Sequence, residues 1–195
     1  MSKVLTIDTI LGKAERFDAR DPLLLTSLDG WEGVSVPFVY DLVLARDTAL
    51  GEEKVRIDRL LGSEARIGLL TGKDRDGKPK YLHRVGCFSH FEKIGLSKKQ
   101  RRLVYKARLI PAVMLWGGGV TYRVFEKKNV VDIIKEVLSG IRAASVDVRF
   151  DADQLRTEDF PRLAYCVQFR ESNFSFVCRL MAQYGISYFF DRGLR

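Results

Sequence analysis

Apolar and polar positions alternate with a two-residue period through much of the first 110 residues, which predicts strands. In residues 37–44, Phe38, Tyr40, Leu42 and Leu44 fall on one side and Val39 and Val43 on the other, the pattern of a strand apolar on both faces. Residues 102–109 place Leu103, Tyr105, Ala107 and Leu109 on one face and their cations mainly on the other. Strand character also marks residues 4–7, 23–26, 65–70 and 81–94. Asp29-Gly30 predicts a turn, and a charged loop is expected around Gly77. Residues 57–62 read as one helical turn, with Asp58 capping it and Gly62 closing it.

The period changes further on. After a candidate cap at Asn129, Val130, Ile133, Ile134, Val137 and Leu138 recur at helical spacing up to Gly140. Ser172 predicts the start of a second helix, with Phe174, Val177, Leu180, Met181 and Tyr184 in one stripe and Gly185 as a left-handed terminator. Both stripes are core-facing patterns. Residues 186–190, Ile-Ser-Tyr-Phe-Phe, predict a final aromatic strand. The stretch Leu115-Trp116-Gly117-Gly118-Gly119 is the candidate hinge or irregular crossing. The expected fold is mainly β with two inserted helices, an α+β arrangement. A first region covers 1–110 and a second, with the helices, covers 111–195.

Composition narrows the function classes. The 195 residues are 46% hydrophobic and 11% aromatic, enough for a core and too apolar for a disordered chain. No apolar run approaches the roughly 18 residues of a membrane helix, and the first residues lack the succession of a secretory signal. Three cysteines, Cys87, Cys166 and Cys178, show no paired spacing, so a disulfide framework is not expected and a reducing cytoplasm is the default site of synthesis.

The net charge of +8 is concentrated. Residues 73–108 hold twelve Lys/Arg against Asp74, Asp76 and Glu92, a local +9 that leaves the rest of the chain at −1. Two charged loops lie inside this segment, at 73–78 and 96–102. They read as solvated hairpin tips whose charges discourage edge pairing. The alternative is a patch for an acidic partner, protein or nucleic acid. A nucleic-acid surface would need exposed aromatics among the cations; Tyr81, Phe88, Phe91 and Tyr105 lie nearby, but in strand-like stretches where core burial is the commoner fate.

Catalytic and metal signals are sparse. His83 and His90, spaced by seven, fit no common zinc motif. The cysteines read as small buried hydrophobes, and a hydrolase would need His83 or His90 brought to a cysteine or carboxylate in space. The glycines at 117–119 lack the Lys-Ser/Thr of a phosphate loop, and Glu158-Asp159 reads as solvated. The expectation is therefore no enzyme, no catalytic or metal residue and no cofactor.

A resemblance supplies the rest. Residues 165–177, Tyr-Cys-Val-Gln-Phe-Arg-Glu-Ser-Asn-Phe-Ser-Phe-Val, with Arg179-Leu180-Met181 and 185–190, resemble a segment of VgrG proteins, the spike proteins of bacterial type VI secretion systems. Residues 35–42 are similar to the family's early strand, Leu60-Leu61-Gly62 to its short turn, and 124–138 to its helix motif. The chain departs at Leu82-His83-Arg84-Val85-Gly86, where the family's glycine stands elsewhere, and at 112–116.

The resemblance implies antiparallel β-barrel domains of the phage baseplate hub type, assembled as a homotrimer that caps an Hcp tube hexamer and carries a needle. It implies the N-terminal hub portion of a longer spike, with effector or spike-tip proteins carried by a C-terminal part. Assembly in the cytoplasm and export through the apparatus, without a signal peptide, follow. Lys98, Lys99, Arg101 and Arg102 are the candidate contacts with the tube or a neighbouring subunit. The competing reading is a nucleic-acid-binding β-barrel using the basic 73–108 segment. A strand at 186–190 without a partner would leave an open aromatic edge.

Overall fold

The computed structural model describes residues 4–9, 11, 23–48, 55–97, 101–141, 151–153 and 155–190. They form two compact units, one of residues 1–33, 37–111 and 190–195, the other of residues 34–36 and 112–189.

In the first unit, β1 (Leu5–Asp8), β2 (Leu24–Gly33), β3 (Val36–Asp47), β4 (Glu64–Lys73), β5 (Pro79–Ser97) and β6 (Arg102–Ile110) form one sheet in the order β1-β4-β5-β6-β3-β2. The ladders for β1–β4, β4–β5, β5–β6 and β3–β6 are antiparallel. The alternating residues fall as their periodicity predicts. Phe38, Tyr40, Leu42 and Leu44 from β3 meet Tyr105, Ala107 and Leu109 from β6 in one core, with Ile67, Phe88 and Phe91. Burying each large apolar side chain there stabilises the fold by about 1.5–3 kcal/mol. Val39 and Val43, on the other face of β3, are only half-buried.

Two expectations change here. The sheet is open: β1 and β2 stand at its two ends, with no ladder between them among the described residues, so the barrel is not closed. And Asp29-Gly30 makes no turn. Strand β2 runs on to Gly33, and the chain reverses at Val34-Ser35, with Ser35 at φ 58°. Gly30 answers a different need. A Cβ there would lie 2.2 Å from the Val39 carbonyl oxygen and 2.7 Å from Cδ1 of the Tyr40 ring. Its hydrogen side chain lets β2 press against β3.

The short helix α1 (Ile57–Leu60) confirms one helical turn, but Arg56 rather than Asp58 occupies its N-cap and makes no side-chain cap bond. Asp58 instead pairs with Arg56 at 2.7 Å. Fully buried Leu60 anchors the turn, so packing rather than a cap holds it.

In the second unit, α2 (Ala112–Trp116) occupies part of the expected irregular crossing. Then β7 (Val120–Asn129) and β8 (Arg162–Ser172) pair antiparallel as a two-stranded sheet. Arg170, at φ 53°, is the extra residue where the register shifts. Helices α3 (Val130–Ser139) and α4 (Asn173–Gln183) follow those strands directly. Both predicted caps are present: Asn129 accepts from the Val131 amide at 2.8 Å and Ser172 from the Ser175 amide at 3.1 Å. Gly185 has the predicted left-handed φ of 70°. The helical stripes bury Ile133, Val137, Val177 and Leu180 against Phe125 and Cys166. Phe176, not Phe174, is the fully buried aromatic, stacked on Phe125 with centroids 5.7 Å apart.

With four helices rather than two among the described residues, the mainly β class stands. Residues 186–190 do not form a strand. Tyr188 instead bonds Ser35, 153 residues away in sequence: its carbonyl accepts from the Ser35 amide at 2.7 Å, and its own amide donates to Ser35 Oγ at 3.4 Å. Among the described residues, no helix is long and apolar enough to cross a membrane.

Candidate partner interface

The basic segment lies on two hairpins of the first unit. Between β4 and β5, Asp74 organises the turn: its Oδ1 accepts from the Asp76 and Lys78 amides at 2.9 and 2.8 Å. The flanking cations project from an exposed, well-hydrogen-bonded loop. Between β5 and β6, Lys98 and Lys99 lie outside the described residues. Arg101 is exposed at φ 51°, and its carbonyl accepts from both the amide and the hydroxyl of Thr48, at 3.1 and 2.7 Å. Arg102 opens β6 half-buried, in register with Ser97 on one side and Asp47 on the other. The structure thus places Arg101 on a hairpin end tied to β3, with Arg102 inside the ladder.

The aromatics near these cations are committed elsewhere. Phe88, Phe91 and Tyr105 are buried core residues in ring-to-ring contact, at 5.4 and 5.6 Å. Three of the four rings a nucleic-acid platform would need are therefore unavailable for stacking.

The sheet also carries an open groove of about 560 Å³, with Asp29, Asp41, His90, Glu92, Lys106 and Arg108 among its walls. Two pairs of its charges are matched. Arg108 donates to both Asp41 oxygens at 2.8 and 3.1 Å, which holds the Asp41 carboxyl below its usual range. His90 lies 3.7 Å from Glu92, both well exposed. This neighbouring pair lacks the water-excluding enclosure of an acid–base site. Burial pushes the thiols of Cys166 and Cys178 up, so neither is poised as a nucleophile. Among the described residues, no group of three or more His, Cys, Asp or Glu gathers as a metal site.

Two features escaped the linear pattern. Arg84, 52 residues from Glu32, donates to both Glu32 oxygens at 2.5 Å, and the Tyr40 hydroxyl donates to the same carboxylate at 2.6 Å. Burial, then the bond to Glu32, push the Tyr40 phenol up to about 12. The second is an exposed apolar face on β7–β8, with Tyr122 and Val124 opposite Phe169 and Val167. The alternation in 120–124 and 165–169 was the available signal.

The described residues thus present charged hairpins on one antiparallel sheet and an uncovered apolar face on another, and comparison with known proteins places the chain. The model of the phage tail baseplate hub (GPD) family matches residues 31–194, and the chain belongs to that family. It is 28% identical over 191 residues to the type VI secretion system spike protein VgrG1b of Pseudomonas aeruginosa PAO1, covering 97% of this chain and 22% of that protein. It is 27% identical to VgrG1a of the same strain, covering 26% of that protein. The chain thus spans about a quarter of the length of these curated relatives. Among solved structures, its fold is similar to the E. coli c3393 protein, with a TM-score of 0.60 and 18% identity over 92% of this chain and 42% of the other. That protein is described as a type VI secretion component structurally similar to the T4 phage tail proteins gp27 and gp5.

Proposed function

We propose that this chain is the hub portion of a type VI secretion spike, a non-catalytic part that trimerises, caps the Hcp tube hexamer and bears a needle with its effector or spike-tip cargo. The observation that carries this reading is the hub-family match over 31–194 together with near-full-chain similarity to the named spike proteins. Load-bearing through backbone ladders suits the part, because long antiparallel strands such as the 19-residue β5 share shear over many hydrogen bonds. Pseudo-sixfold matching of a trimer to a hexamer would give each copy two tube subunits to meet. The assembly would form in the cytoplasm and leave through the apparatus itself.

The hairpin cations Lys98, Lys99, Arg101 and Arg102 are the proposed contacts with the tube or a neighbouring subunit. The test is co-sedimentation with tube hexamers. Charge reversal at these four positions is expected to weaken it, with wild-type binding falling as salt rises. Unchanged co-sedimentation removes the assignment of these residues, and no co-sedimentation of the wild type removes the hub reading.

A further inference from the structure

We propose that the outward face of the β7–β8 sheet is the surface on which a second copy of this chain docks. The inference rests on the hub reading and names the surface through which its copies associate. On β7, Val120, Tyr122 and Val124 alternate toward one side; on β8, Tyr165, Val167 and Phe169 do the same. The register sets Tyr122 opposite Phe169 and Val124 opposite Val167, so all six side chains share a face. Their exposures run from 46% to 70%, although Tyr122 and Phe169 already pack edge to face at 5.4 Å. The opposite face is occupied, because Phe125 and Cys166 point into the core beneath α3 and α4.

Size argues for a whole protein surface as the occupant. Three aromatics of about 150–250 Å² each, roughly two-thirds exposed, and three valines leave about 600 Å² of contiguous apolar area. That stands at the top of the roughly 300–600 Å² range of a typical monomer's largest patch, which is often a functional one, and approaches the roughly 800 Å² per partner of a stable interface. A two-stranded sheet is also marginal by itself and gains when its second face is covered. A copy of the same chain meets these requirements at the stoichiometry the hub reading already demands.

The experiment is sedimentation velocity over a concentration series, using the whole chain, Tyr165→Ser/Phe169→Ser, and Val124→Arg as an independent variant. Far-UV circular dichroism checks each fold. The wild type is expected to form one discrete oligomer, and each folded variant to raise the dissociation constant by at least about tenfold. A monomeric wild type, variants that assemble like wild type, or open-ended aggregation overturns the proposal. Tube co-sedimentation separates the two ideas: oligomers intact in the variants sink only this face, whereas wild-type oligomers that ignore the tube sink only the hub reading.

Discussion

Asn129 joins three pieces of the second unit through one side chain, and its replacement can be worked through atom by atom. Its Oδ1 caps α3 by accepting from Val131, while its Nδ2 donates to the carbonyls of Thr157 and Phe160 at 2.9 and 2.7 Å. The residue is buried at 4% exposure. Asn129→Ala removes the cap, worth about 1 kcal/mol, and strands the half-buried Phe160 carbonyl at about 1 kcal/mol, while the Thr157 carbonyl keeps the Phe160 amide at 3.2 Å, for a loss of about 2 kcal/mol. Asn129→Ser keeps a cap acceptor and loses about 1 kcal/mol, for the Phe160 carbonyl left without its donor. Asn129→Asp is the diagnostic change. It retains the acceptor at the helix N-terminus, yet sets a carboxylate oxygen against two carbonyl oxygens, and the destabilisation should exceed that of Ser. Its folded-state pKa would then be raised, so the deficit is relieved at low pH and grows as pH climbs through the carboxylate range. Urea unfolding of the three variants, followed by circular dichroism at neutral and acidic pH, reads these differences. An Asp variant as stable as wild type at neutral pH would refute the reasoning.

Phe176→Ala should cost about 3–5 kcal/mol, since the ring is fully buried against Phe125, whereas half-buried Phe174→Ala should cost clearly less; the two denaturation midpoints rank them. Arg84→Met should destabilise by about 2–4 kcal/mol, because Glu32 and Tyr40 lose the guanidinium that organises them; calorimetry against the Glu32→Gln/Arg84→Met double variant isolates the coupling. With the Tyr40 phenol at about 12, stability falls as pH rises from about 10 through 12, the unfolded chain releasing that proton first. Tyr40→Phe should remove that part of the fall. Gly30→Val should be severely destabilising, because its Cβ would overlap the Val39 carbonyl, whereas Gly95→Ala meets open space and should stay within about 1 kcal/mol of wild type by thermal unfolding.

What the linear pattern reveals here depends on how local the cause is. The caps at Asn129 and Ser172 and the terminator at Gly185 were legible because each involves neighbours two or three residues away. The alternation of β3 and β6 was legible because one buried face fixes a two-residue period. Gly30 misled for the same reason in reverse: glycine beside aspartate signals a turn, but the constraint acting on it is Tyr40 on the adjoining strand. Helical spacing put Phe174 in the apolar stripe of α4, whereas packing against Phe125 buries Phe176 instead. At the candidate interface the clustering of cations and the burial of Phe88, Phe91 and Tyr105 in strand-like stretches were visible in the sequence, but the Glu32–Arg84 pairing comes from tertiary placement. Nor could residues 186–190 reveal that their apolar run ends in an irregular segment bonded to Ser35.

Native mass spectrometry of the chain mixed with Hcp hexamers addresses the hub assignment most directly. The account predicts a complex of three copies of this chain on one hexamer, lost as ionic strength rises. Separate masses for a lone chain and a bare hexamer, unchanged at any mixing ratio, would contradict it.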